Sequence, residues 1–242
     1  SDNHWWETNL SFLGTKHANY SWQFNLTLMV SALLMVGLID YLFVWLQRKY
    51  QHNLGLNILR VLLTIMAFSL FGVGAFLFLV LLKWLLIGRY RPRAEPMWTP
   101  FVWKSEAVTS LYESIAVPNF FNFLRATPWL PLALRCMGAR IGKRVFMDTT
   151  DVTEYDCVSI GDDAVLHAWS GPQTHLFEDR VMKIGQVRIG KGVNVGPRST
   201  ILYDTRVEPG ARLGPLTLVL KGETIPAGQA WIGSPATPWA AR

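Results

Sequence analysis

From Ile189 onward the chain places an apolar residue at every sixth position: Ile189, Val195, Ile201, Val207, Leu213, Val219, Ile225 and Trp231. Four places further into each unit stand Val193, Ser199, Thr205, Ala211 and Thr217, all small or β-branched. A period of six matches neither the 3.6 of a helix nor the simple alternation of a strand. It predicts a solenoid of short parallel strands, in which each hexad is one flat side and three hexads complete a triangular coil. The large residue points into the prism and the small one packs near a corner. The glycines that follow the apolar position, Gly190, Gly196 and Gly214, are expected to give the turns their backbone freedom.

An earlier block opens at Ile141-Gly142 and resumes at Ile160-Gly161 with Ala164. The step from 141 to 160 is three hexads plus one residue, so the register slips once. A second slip is expected between Ile184 and Ile189. From Leu166 to Ile184 the period is lost, and that interval holds GPQTHLFEDR, residues 171–180. The closing WIGSPA reads as a cap where the last segment folds back.

The N-terminal half has another character. Residues 27–46 and 61–82 are two nearly uncharged apolar runs, each long enough at 1.5 Å per residue to cross a hydrocarbon layer of ~30 Å. The short connection between them predicts an antiparallel transmembrane hairpin within residues 24–88. Trp45 and Trp84 are candidates for an interfacial belt, and Lys83 for a side chain reaching the headgroups. Asp40, the one acid in either run, is expected to find Arg60 or water, with a transport role as the alternative. Gly72 and Gly74 leave a re-entrant break open for the second run. Basic residues flank the runs, and the cluster Arg89, Arg91, Arg93 places the C-terminal domain on the cytoplasmic side of a multi-pass membrane protein. The net charge of +6 is read as membrane flanking, not nucleic-acid binding. Residues 1–23, with Trp5, Trp6 and Trp22, read as an interfacial lead-in. The chain opens without Met or a signal pattern and is expected to be a piece of something longer.

Residues 89–137 form an amphipathic connector interrupted by Pro118, Pro128 and Pro131, at or before which helices should end. Its aromatics, Phe120, Phe121, Phe123 and Trp129, either pack on the following domain or lie in the membrane interface, the second being preferred. The cysteines, Cys136 and Cys157, make neither a disulfide framework nor a zinc site and are expected to be buried. No metal is expected.

The hexads resemble those of left-handed β-helix acyltransferases, which move acyl groups from thioesters to amines or hydroxyls. More narrowly, GARIGKRVFMDTTDVTEYDCVSIGDDAVLHAWSGPQTHLFEDRVMKIG and LYDTRVEPGARLGPLTLVLKGE resemble the terminal domain of the ε-poly-L-lysine synthetase family, the likeness running over residues 24–236. That family is membrane-bound and resembles nonribosomal peptide synthetases: adenylation and carrier domains precede three helix pairs, each followed by such a domain. The sequence here holds one hairpin-plus-solenoid unit and neither an adenylation nor a carrier signature. The resemblance implies a mixed fold, a transmembrane α-helical hairpin followed over residues 138–242 by a left-handed parallel β-helix. It implies amide formation from a phosphopantetheine-linked aminoacyl thioester, ATP being used upstream and no cofactor bound directly. It further implies carrier and adenylation partners, a lysine-like acceptor, and a pseudo-trimer or homo-oligomer.

Amide formation needs a deprotonated amine held near the carbonyl and a stabilised oxyanion. Histidine titrates near neutrality, so it can take the amine proton and return it to the thiol. His175, in the longest interruption of the solenoid, is the candidate base, with a loop histidine tying down its neighbours as the plain alternative. Glu178 or Asp179 is a candidate to orient it or attract a cationic acceptor, and Gln173 and Thr174 are candidate hydrogen-bond donors. Asp148, Asp151, Glu154 and Asp156 form an acidic run suited to holding a lysine-like substrate, or simply a solvated face. Two further functions stand beside amide formation: a coenzyme A-dependent acetyltransferase on a membrane glycan or lipid, and a non-catalytic scaffold unit of a larger synthetase.

Overall fold

In the computed structural model the described residues are 37–38, 40–46, 48–49 and 54–239. They divide into two compact units, with the boundary between Gly74 and Ala75. The expected lead-in over 1–23 and most of the first apolar run lie outside the described residues. The described part of that run is helical, and Asp40 forms an ion pair with Arg60.

The second run is one continuous helix, α1 (Leu54–Leu86), with no break at Gly72 or Gly74. It is the one helix among the described residues long and apolar enough to cross a membrane, and only 11% of its most apolar window is buried. Ile58, Leu62, Leu70, Leu77 and Leu81 all point outward. So much exposed hydrocarbon on one helix fits lipid better than water.

After α1 come β1 (Arg93–Pro96) and α2 (Pro100–Leu111), whose first residue is a proline where no intrahelical N–H is required. The helix does not end before Pro118 as the sequence suggests. It widens into a π-helix (Tyr112–Phe121) with Pro118 inside it. The wider turn accommodates the missing N–H and the ring, which an α-turn would not. Pro131 likewise sits in the first turn of α3 (Trp129–Met137), whose leading N–H groups have no helical partner in any case. The connector aromatics divide between buried and exposed positions. Phe121 is buried against Tyr112 and Phe76, and Phe120 stacks on Phe76 at 4.6 Å. Phe123 and Trp129 remain exposed. Cys136 is exposed on α3, contrary to expectation, while Cys157 is buried.

The hexads fold as their period predicts. One wall stacks β2 (Arg140–Ile141), β4 (Val158–Ile160), β9 (Val187–Ile189), β12 (Thr205–Val207) and β15 (Thr224–Ile225) in parallel. A second stacks β3 (Phe146–Met147), β5 (Val165–Leu166), β10 (Asn194–Val195), β13 (Arg212–Leu213) and β16 (Ala230–Ile232). The third stacks β6 (Gly171–Gln173), β11 (Thr200–Leu202) and β14 (Leu218–Val219). Ile141, Ile160, Ile189, Val207 and Ile225 therefore form one ladder up the prism, and Met147, Leu166, Val195, Leu213 and Trp231 another. Ser199, Thr205 and Thr217 are buried near the corners, their hydroxyls donating to the carbonyls of Gly214, Leu220 and Gly214. Those bonds remove the cost of burying a hydroxyl. After β16 the chain reverses into antiparallel β17 (Thr237–Pro238), the cap expected of WIGSPA.

The glycines after the apolar positions act differently from expectation. A Cβ on Gly196 would lie 2.6 Å from the Gly214 carbonyl carbon of the next coil, so its role is close stacking. The left-handed corner residues are others, among them Gly192 and Gly210 and also Arg198, Asp204 and Leu216.

The interruption is shorter than the sequence suggests. Pro172 occupies a regular wall position against Ile201, so the coil holds for one hexad beyond Leu166. The chain then leaves the wall as an antiparallel hairpin, β7 (His175–Glu178) and β8 (Val181–Ile184). The Gly185 N–H closes the base of the hairpin on the Thr174 carbonyl. Ile184 thus belongs to the hairpin, and what reads as a second slip in the solenoid is the return from it. β8 also pairs with β1, giving a three-stranded ribbon with Arg93 and His175 on either side of Ile184.

Candidate active site

The single slip between Met147 and Ile160 falls in the segment that builds the site. The Glu154 backbone is left-handed (φ 38°) and leads into a 3-10 turn, Tyr155–Cys157. A non-glycine residue held there costs of order 1–2 kcal/mol. The turn carries the Glu154 side chain inward, where it is almost fully buried. One of its oxygens, Oε2, meets His175 Nδ1 at 2.7 Å and accepts from the Thr174 hydroxyl at 2.6 Å. The other, Oε1, is buried with no hydrogen-bond partner among the described residues.

His175 keeps only 12% of its side chain accessible, and Phe177 meets its ring edge-on. Burial alone would lower the imidazole pKa and raise the carboxyl pKa. The ion pair and its hydrogen bond outweigh burial in both partners, so His175 is held above its ordinary 6.5 and Glu154 below its ordinary 4.5. Glu106 on α2 and Glu113 in the π-helix add to the shift of His175. With Nδ1 committed to the carboxylate, Nε2 is the ring atom left for chemistry.

The sequence candidates separate under this geometry. Gln173 donates through Nε2 to the His175 carbonyl, and Thr174 holds Glu154, so both brace the carboxylate–imidazole pair. Glu178 does not touch His175. Alternate residues of a strand face opposite ways, so Glu178 looks away from the side shared by His175 and Phe177. It accepts instead from Lys221 and Lys183 at 2.6 and 2.9 Å, which hold its carboxyl low. Asp179 sits at the exposed tip of the hairpin with a left-handed backbone. The acidic run is no common cation surface. Asp148 is held by Arg125, Asp151 is exposed, and Glu154 orients His175.

Asp156 accepts from Lys83 Nζ at 2.6 Å and from the Tyr90 N–H at 3.1 Å. Lys83 is therefore fully buried on that carboxylate, with its ammonium 3.6 Å over the Trp84 ring, and does not reach out to headgroups. Trp84 in turn donates to the Cys136 carbonyl at 2.9 Å. Burial raises the Cys157 thiol to about 12, which leaves it protonated and unsuited to nucleophilic attack at neutral pH.

Sequence reasoning missed the pairing of Glu154 with His175, and with it Glu106 and Glu113. A signal for the first was present. The offset of nineteen from Ile141 to Ile160 stacks residue 154 near residue 173, beside His175. Glu106 and Glu113 stand seven apart, two helical turns, and so share a face.

What the fold and this geometry define is a parallel β-helix bearing a buried carboxylate–imidazole pair on an excursion from its wall. In sequence the chain is similar to the delta-poly-L-ornithine synthetase of Acinetobacter baumannii (strain AB307-0294), at 67% identity over 170 residues. The match takes in 70% of this chain and only 13% of the length of that curated relative. No protein-family model matches the chain. Among solved structures it is similar to a hexapeptide-repeat-containing acetyltransferase from Vibrio cholerae, at 16% identity and a TM-score of 0.37 over 43% of this chain and 63% of that one. A galactoside acetyltransferase in complex with coenzyme A gives 16% and 0.37 over 50% and 74%. The soybean serine acetyltransferase apoenzyme gives 23% and 0.36 over 56% and 50%.

Proposed function

We propose that this chain is an acyl-transfer unit at a membrane surface that joins an aminoacyl thioester to a neutral amino group of a diamino acid or its oligomer, His175 acting as general base. The observation that carries the reading is the 2.7 Å contact of Glu154 Oε2 with His175 Nδ1. A buried carboxylate on one ring nitrogen fixes the tautomer, orients the ring and leaves Nε2 as the basic atom. In the transfer, Nε2 takes a proton as the amine nitrogen bonds to the thioester carbonyl carbon. The carbon–sulfur bond then breaks, and the imidazolium returns the proton to the departing thiolate. The products are an amide and a free thiol.

The acceptor follows from charge. Glu154, Glu106 and Glu113 each favour positive charge at His175, an acidic environment that would draw in a diamino acid or its oligomer. The name of the Acinetobacter relative, a poly-L-ornithine synthetase, supports the same substrate class. The exposed apolar surface of α1 supports a bilayer-anchored unit, with the solenoid on the cytoplasmic side where thioester donors are made. Adenylation and a phosphopantetheine carrier are supplied from other domains, on the same chain or another, and related units assemble around it.

The test uses the full chain in detergent with a carrier protein loaded with ornithine or lysine. His175→Ala should lower amide formation at least a hundredfold with the circular dichroism spectrum unchanged. Unchanged product formation would sink the reading in favour of a scaffold. Turnover of acetyl-coenzyme A without a carrier would sink it in favour of an acetyltransferase.

A further inference from the structure

Where α1 ends, the chain opens a cleft of about 410 Å³ that continues into a second hollow of about 310 Å³ along the first coil. Five arginines line the two: Arg89, Arg91, Arg135, Arg140 and Arg188. The sole carboxylate in the lining is Asp156, and its charge is taken up by the buried Lys83. Two of the arginines have local duties, Arg135 donating to the Ile141 and Gly142 carbonyls and Arg188 to Gln186. The side chains of Arg89, Arg91 and Arg140 form no salt bridge or hydrogen bond among the described residues and are exposed to the cleft.

Three uncommitted guanidinium groups in one concavity repel one another, and among the described residues the lining offers them no carboxylate besides Asp156. Such a site is complementary to a compact oxyanion, which guanidinium binds through paired N–H donors. We infer that this cleft binds the phosphate of a phosphate ester. Two sources share that chemistry. The lining of the cleft begins at Trp84 in the last turn of the apolar helix, and a lipid headgroup would meet it there if that helix lies in a bilayer. It also shares a backbone segment with the transfer site, since Asp156 at its floor lies two residues from Glu154. Arg93, which follows the cleft residue Pro92, lies two strand spacings (about 10 Å) from His175. A phosphopantetheine arm anchored by its phosphate here would therefore reach toward His175. That second source rests on the transfer function proposed above, and the first does not.

The test is isothermal titration of the full chain in dodecyl maltoside, which carries no phosphate. One arm compares 4′-phosphopantetheine with pantetheine. The other compares dioctanoyl phosphatidylglycerol with dioctanoylglycerol. The phosphorylated member of at least one pair should bind and its counterpart should not. The double variant Arg89→Gln/Arg140→Gln, at exposed positions that leave the fold intact, should weaken that binding about tenfold for each arginine removed. Selective binding of phosphopantetheine assigns the site to the donor arm, of phosphatidylglycerol to the headgroup, and of both to the phosphate common to them. Failure of both phosphorylated probes to bind, or binding unchanged in the double variant, overturns the inference. His175→Ala should leave the binding intact, so loss of the transfer function and loss of this site are read separately.

Discussion

At the residue scale, the chemistry concentrates in the triplet Glu154-Tyr155-Asp156. The first acid is turned in to hold the His175 imidazole and the third is turned toward the end of α1. Because Glu154 raises His175, transfer should fail below a pH set above the ordinary 6.5 of an imidazole. The sign is fixed by the role. A base works only when neutral, so activity rises as pH climbs through the raised value. In Glu154→Gln the charge that lifts the imidazole is gone while burial, which lowers it, remains. The acid limb of the kcat profile should therefore move to lower pH, with kcat down about a hundredfold. A pH–rate profile checks this, and a limb that stays in place would assign Glu154 a purely structural part.

At the scale of the element, the coil tolerates little at its stacking points. Gly196 approaches the Gly214 carbonyl carbon of the next coil so closely that an added Cβ would stand 2.6 Å from it. Gly196→Ala should destabilise the protein by about 1–3 kcal/mol, the usual range for forced overpacking. In a chain of this size that lowers Tm by about 2–4 °C per kcal/mol, read by thermal denaturation in detergent. The hairpin β7–β8 shows how such a regular element acquires a site. The catalytic candidate stands on strands that leave the wall and are held by β1 from outside it.

At the scale of the molecule, Lys83 joins the last turns of α1 to the first coil. Lys83→Met leaves Asp156 with the Tyr90 N–H but no cation, and breaking a buried pair from one side costs about 3–5 kcal/mol. Unfolding followed by the intrinsic fluorescence of Trp84 and its neighbours should show that loss. Retained stability would mean that the pair is not what ties helix to coil. The chain's sequence determined what depends on periodicity and composition: the six-residue rungs, the apolar run that became α1, the closing cap, and an excursion around His175. Those are one-dimensional signals, because apolar burial is repeated along the chain. Only the tertiary structure decided which acid serves the histidine, why Glu178 faces away from it, that Lys83 turns inward to Asp156, and that arginines far apart in sequence line one cleft. Charge pairing depends on distance in space, and here stacked coils and a ribbon bring together residues whose separations follow no period.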